Sequence, residues 1–584
     1  MVTDHLPVRL DRSVASQPTT NADREAAISR SERVLISASF TLTVLLHLVY
    51  AFRYRFDSDE PQHLHVVWGW TRGLLQYRDV FDNHTPLFHL LFAPLLAALG
   101  ERADVLIPMR LAMIPLCVLA LLATYKIGRE LFNRRVGLWA AVFTGLFPAF
   151  LIYSIAFRTD VLWTTLWLLA LAVFFQSRLT ISRAFLGGVL LGAALSVSMK
   201  TILLLASLGA ALLVTRVLAP KVRGGYRDPG AARLAAAAIT GFVLVPLAVV
   251  AFFMVEGAGT ALLYGAVEHN LVLGLGTKHT NPGRDLLFPL MLPLLGWAGW
   301  AFPRRASDPG VGTRRAVVFL TAGLYLFAVH NIWPIFASQD RLPLYPLLII
   351  FLAPLVLAVP GVRFARWKTM RSDRPWMDAL IPAGIVVAEM LLLTTVTVWQ
   401  DGTRDEIGLL TDVLTLTRTD DPILDEKGET IFRTRPFYYA LEGITLERIR
   451  RGLIIDDIPE RLIATRTCVA VAAVGRFPDR ARAFLEKNYL PVGRLRVAGR
   501  YLAVHNDGTG PLAFDIEIPA RYVLLADRGA VTGRLDGLPY EGARFLERGH
   551  HEFRPTAQPG RLAVVWAQAV ERGYVPFPGQ REPL

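Results

Sequence analysis

The sequence predicts a polytopic α-helical membrane protein with a C-terminal region of mixed α/β and β character. Three observations carry that prediction. Of the 584 residues, 53% are hydrophobic, and the mean hydropathy of +0.39 is higher than a soluble chain of this size reaches. Apolar stretches of roughly 16–22 residues recur, each about long enough to cross a ~30 Å hydrocarbon layer. Arg and Lys gather in the short segments between those stretches, where the positive-inside rule puts them. The same clustering accounts for the net charge of +13, so nucleic acid is not expected as a partner.

Residues 1–33 are polar and lack a short apolar core followed by a cleavage site, so they read as a disordered cytoplasmic tail. The transmembrane module is expected over 34–399. Its first span, 34–52, follows Arg24, Arg30 and Arg33 and should run outward. A first outer loop covers 53–106. The apolar stretch 86–99 is about fourteen residues, short for a crossing. Were it to cross, Arg129, Arg134 and Arg135 would fall outside. It is therefore expected to dip into the interface, leaving 107–125 as the second span.

The later spans then alternate. Residues 136–157 run outward, 161–175 inward and 184–199 outward, and a tight outer turn at Lys200 leads into 201–218. Residues 234–255 run outward, a long outer loop covers 256–285, and 286–302 return. Residues 316–336, 342–359 and 379–399 complete the set. The count is about eleven spans, with every strongly basic loop on one side. From 400 the composition becomes that of a soluble α/β segment, expected over 400–510. A helix is expected from 478 to 489 with Asp479 as N-cap, and a strand over 494–504. Residues 511–584 read as a small β-sandwich-like tail with strands near 514–518, 522–525 and 562–566. Cys117 lies in a span and Cys468 in a polar region, so they are not expected to pair.

The stretch FDSDEPQHLHVVWGW, residues 56–70, puts Asp57, Asp59 and Glu60 just past the first span. The plain reading is helix capping: Pro61 sits early in a first turn, and Leu64, Val67, Thr71 and Leu74 follow at helical spacing. That helix should lie flat and amphipathic on the outer leaflet. Capping does not account for Asp160, a second isolated acid expected at the same face. An ionisable group at a span end is a functional candidate. His84, Arg158, Lys200 and Arg341 are cations expected on that face too. Together these groups suit transfer of a group from a phosphate: a carboxylate deprotonates the attacking hydroxyl, and cations hold the leaving phosphate. For the cations the competing role is interface snorkelling.

These residues resemble a known family. Asp59-Glu60 after the first span, YRDVFDNHTPLFHL over 77–90, RVGLWAAVFTGLFPAF over 135–150 followed by Asp160, GAALSVSMK ending at Lys200, and RLPLYPLL from Arg341 occur in order. Over 34–359 the chain resembles the GT-C-type glycosyltransferases that use polyprenyl-phosphate sugars. That superfamily is protein O-mannosyltransferase-like and includes aminoarabinose and rhizobial galacturonosyltransferases. The resemblance implies an outward-facing cavity, Asp59 with Glu60 at the catalytic position, and Asp160 as second essential acid. It also implies donor-phosphate contacts from His84, Lys200, Arg341 and Arg158. The family often carries Lys-Pro-Pro-Leu where this chain has His84-Thr85-Pro86-Leu87.

Asp57, Asp59 and Asp160 would offer an oxygen-only set to Mg²⁺ or Mn²⁺. Cations alone serve a monophosphate lipid, so no cofactor is expected. The implied activity is inverting transfer of a hexose or pentose from a polyprenyl-phosphate donor. It would occur on the outer face of the cytoplasmic (inner) membrane, in cell-envelope biogenesis. The expected partners are that donor, membrane lipid and an envelope acceptor: lipopolysaccharide, another glycan, or a protein undergoing glycosylation. Two competing classes are a lipid-linked glycan transporter or flippase, which predicts ionisable groups at mid-membrane, and a membrane-anchored envelope assembly protein acting through its C-terminal domain.

Overall fold

The structure, a computed structural model, describes residues 28–176, 178–218, 229–272, 282–333, 337–363, 377–396, 400–503, 510–556, 560–574 and 576–577. The tail expected over 1–33 lies mostly outside them, as does part of the loop 256–285. Helix Arg30–Arg53 opens with a capping box, in which the Ser29 hydroxyl accepts from the Glu32 amide and Glu32 answers at Ser29. Glu32 also takes Arg135 at 2.8 Å and the Trp139 indole at 3.1 Å, tying the start of this helix to helix Arg134–Leu146.

All eleven apolar stretches contain helix. By length and composition, five described helices can cross a membrane: Arg30–Arg53, Leu106–Leu131, Thr201–Leu218, Gly230–Val255 and Pro309–Asn331. Helices Thr159–Phe174, Ile181–Val197, Leu344–Ala358 and Ala379–Thr394 are apolar but shorter. The expected straight span 136–157 is instead a bent pair, Arg134–Leu146 and Pro148–Ile155, with 66° between its halves. The cause is Pro148. A residue before proline is driven out of the helical region, and Phe147 sits at φ −58°, ψ 119°.

Helix Leu87–Leu99 is one of the shorter apolar helices. Thirteen residues span ~20 Å against a ~30 Å core. The C-terminal domain meets the chain on both sides of it: Tyr438 donates to the Tyr77 carbonyl and Arg433 pairs with Glu101 at 2.9 Å. Helix Ile181–Val197 approaches helix Pro229–Val255 closely through glycine. A Cβ on Gly188 would stand 2.0 Å from the Ala238 carbonyl oxygen, a small-residue contact of the membrane-helix kind.

The C-terminal domain forms one core from both expected segments. Its larger sheet runs in the order Ile423–Leu424, Val469–Val471, Leu495–Leu502, Leu562–Trp566, Ala520–Ala526, Arg544–Leu546, with Tyr489–Val492 also on Leu495–Leu502. The expected boundary at 510 thus cuts through a single sheet, since Leu562–Trp566 pairs antiparallel with Leu495–Leu502. Leu512–Ile516, Gly549–Pro555, Gly533–Leu535 and Leu538–Pro539 form a second sheet on the same core. The helix expected near 478 is Asp479–Asn488, but Pro478 occupies the N-cap and Asp479 is the first helical residue. Cys117 and Cys468 are both free.

Candidate functional site

Helix Asp59–Thr71 is not amphipathic on a leaflet. Every residue from Glu60 to Gly69 is buried, because the helix packs on Leu87–Leu99 beneath the C-terminal domain, whose Ile431 and Phe432 join the same apolar core. His65 Nδ1 bonds the Ile431 carbonyl at 2.8 Å. The capping expectation holds for Asp57 alone: its carboxylate accepts from the Asp59 amide at 3.0 Å. The Asp59 carboxylate is left to make ion pairs.

Glu60 is an anchor. Oε1 accepts from Arg110 Nη2 at 2.5 Å and the Asp57 amide at 2.8 Å, and Oε2 from Arg110 Nε at 2.7 Å and the Phe157 amide at 2.9 Å. All its acceptor sites are used, and both Glu60 and Arg110 are fully buried. The pair positions the backbone on each side of the acids, at Asp57 and at Phe157. Glu60, which the resemblance puts at the catalytic position, thus has its whole carboxylate engaged in the fold.

The two candidate acids do converge. Arg158 stands between them, with Nη1 on Asp57 and 2.6 Å from Asp59 Oδ2, and Nε 3.1 Å from Asp160 Oδ2. Asp160 lies in the first turn of helix Thr159–Phe174, where the helix N-terminus favours an anion. Lys200 Nζ is 3.7 Å from Asp160 Oδ1 and pairs with Asp340, and it lies 6.0 Å from the Trp163 ring centre. Arg341 follows Asp340 in the short turn Ser338–Arg341. It is Asp340, not singled out in the sequence, that grips Lys200.

His84 donates through Nδ1 to Asp82 Oδ1 at 2.9 Å, with Asp82 fully buried and His84 partly open. Its ring lies 4.6 Å from that of His63, whose Nδ1 meets His89 Nε2 at 3.0 Å. Burial, then His84 and His89, hold His63 well below its ordinary value.

One cation comes from a segment that sequence reading passed over. Lys427 of the C-terminal domain pairs with Asp59 Oδ1 and lies 3.3 Å from the Ser58 hydroxyl. Its only local signal is the polar turn DEKGE between two apolar runs. Burial raises the Asp59 pKa, but Arg158 and Lys427 more than offset it and hold the carboxyl well below the usual range. Among the described residues no cluster of His, Cys, Asp or Glu is arranged to hold a metal ion. Asp57, Asp59 and Asp160 are bridged by a guanidinium, and as arranged they do not fit a divalent cation.

Residues 83–245 match the dolichyl-phosphate-mannose-protein mannosyltransferase family. No curated protein matches the chain by sequence. Among solved structures, the ArnT of Cupriavidus metallidurans bound to undecaprenyl phosphate is 14% identical, with a TM-score of 0.52 over 80% of this chain and 97% of that one. Its apo form gives 0.51 over 80% and 98%, also at 14% identity. The oligosaccharyltransferase AglB of Archaeoglobus fulgidus with a dolichol phosphate is 13% identical, with a TM-score of 0.46 over 82% and 74%. Residues 83–245 thus match the mannosyltransferase family's model, on a chain whose fold is similar to that of the ArnT structures.

Proposed function

We propose that the chain transfers a sugar from a polyprenyl-phosphate donor to an envelope acceptor, with inversion at the anomeric carbon. The observation that carries this reading is the junction of Asp59 and Asp160 through Arg158, with Lys200 beside Asp160. The acceptor hydroxyl attacks the anomeric carbon on the face opposite the phosphate. The bond from that carbon to the phosphate oxygen breaks, and the electron pair leaves with the polyprenyl phosphate. The acceptor's proton passes to Asp59. Asp160 orients the acceptor, and Lys200, His84, Arg341 and Arg158 stabilise the leaving phosphate. The neighbour bound to undecaprenyl phosphate supports a donor of that class.

In this reading the N-terminus is cytoplasmic, the C-terminal domain is extracytoplasmic, and the reaction takes place on the outer face of the cytoplasmic membrane. The test is Asp59→Asn in membrane vesicles supplied with undecaprenyl-phosphate-linked sugars and envelope extract. Transfer should fall by ~10²–10⁴-fold, the usual worth of a general base, at unchanged protein level. Transfer at the wild-type rate would remove Asp59 as base.

A further inference from the structure

We infer that Lys427 is a phosphate-contacting residue supplied to the site by the C-terminal domain: it rests on Asp59 and moves to the donor's phosphate when the lipid-linked sugar binds, releasing Asp59 for the acceptor. The inference rests on the donor reading above and deepens it.

The loop that carries Lys427 is built for fixed placement. Leu424 ends a strand paired to Val469–Val471. Asp425 then accepts from the amides of Gly428 and Thr430, each at 3.0 Å, from the Thr430 hydroxyl at 2.7 Å, and from Arg435 Nε at 2.7 Å. Gly428 has φ 108°, and a Cβ there would stand 2.9 Å from His65 Cβ, so only glycine lets the loop seat on helix Asp59–Thr71. The Lys427 amide donates to Glu429 at 2.8 Å. A rigid loop thus delivers one flexible ammonium stem to the acids.

Charge and partner number single out Lys427 as the cation that exchanges. Asp57, Asp59, Asp160 and Asp340 face Arg158, Lys200 and Lys427, and each of these cations already sits on carboxylate. Arg158 holds three acids and Lys200 two, whereas Lys427 has Asp59 alone as its charged partner among the described contacts. An incoming phosphate is received when a cation changes partner, and the one held by a single carboxylate has the least to give up. Both Asp59 oxygens are engaged, Oδ1 by Lys427 and Oδ2 by Arg158. A base so clamped is a poor proton acceptor until one cation leaves. The other groups facing this pair are Asp57, Asp160 and His63 around Asp59, and Asp425, Glu429 and Arg435 around the loop.

The test is a binding cycle on the full-length protein in nanodiscs, with undecaprenyl phosphate as probe and undecaprenol as control. Asp59→Asn should tighten undecaprenyl phosphate binding by ~10-fold, one decade of affinity, because it frees Lys427. In a Lys427→Gln background the same change should gain less than ~2-fold. Equal gains in both backgrounds would overturn the exchange while leaving the donor reading intact. Phosphate-dependent binding absent from every variant would remove both. On unmutated protein, carbodiimide coupling of Lys427 to Asp59 should fall when undecaprenyl phosphate is added and not with undecaprenol. A coupling yield indifferent to the phosphate would also overturn the proposal.

Discussion

Arg158 Nη1 lies 2.6 Å from Asp59 Oδ2 while its Nε lies 3.1 Å from Asp160 Oδ2, so one guanidinium joins acids about a hundred residues apart. The planar fork makes this possible, and a lysine ammonium offers no equivalent spread of donors. Arg158→Lys should therefore separate Asp59 from Asp160 and lower kcat by ~10²–10³-fold, the scale seen when one electrostatic donor is lost from an active site. Transfer assays on purified protein would check this, and a loss under threefold would show that the bridge is dispensable.

How much of this site the sequence exposed depends on the range of the interactions. The helices of the apolar stretches were legible because hydropathy is a local pattern, and the expectation that Asp59 and Asp160 share one face agrees with their meeting through Arg158. Pro148 announced a break that the apolar run 136–157 masked. Glu60 sat beside Asp59 in the sequence, yet its role is set by Arg110, fifty residues on. Lys427 is 368 residues from Asp59, and no local pattern encodes such a contact. The burial of helix Asp59–Thr71 was hidden for the same reason, since its second cover comes from the C-terminal domain.

Glu60 and Arg110 form a buried ion pair, and removing one partner leaves the other charge stranded. Glu60→Gln should cost about 3–5 kcal/mol of stability, read as a large drop in melting temperature. Glu60→Gln with Arg110→Met should recover part of that loss. If Glu60 were instead a catalytic acid, Glu60→Gln would lose transfer at an unchanged melting temperature.

Asp82 holds His84 by Nδ1 at 2.9 Å, which aims the other ring nitrogen away from Asp82. His84→Ala should raise the donor KM by ~10-fold, the scale of one charge-assisted contact, with a smaller change in kcat. His84→Lys, which restores the residue common in the resembled motif, should keep the donor KM within ~3-fold of wild type. Asp82→Asn should fall between them, because His84 remains but is no longer oriented. Donor titrations at saturating acceptor would separate the three.

Glu429 gives a pH prediction outside the membrane. Burial, then the neighbouring Asp425, push its carboxyl up to about 7 from an ordinary 4.5. The folded state therefore binds this proton more tightly than the unfolded state does. Its stabilising contribution is complete below about pH 4.5 and is lost as pH rises through about 7. Glu429→Gln removes the titration and keeps the side-chain volume. It should raise the melting temperature of the full-length protein by several degrees at pH 8, where the wild-type carboxyl is charged, with the difference shrinking toward zero at pH 5. Because the Lys427 amide donates to Glu429, the same substitution should also reduce proteolytic nicking of the Asp425–Arg435 loop at pH 8. Melting curves of both proteins that stay parallel from pH 5 to pH 8 would show that Glu429 titrates normally.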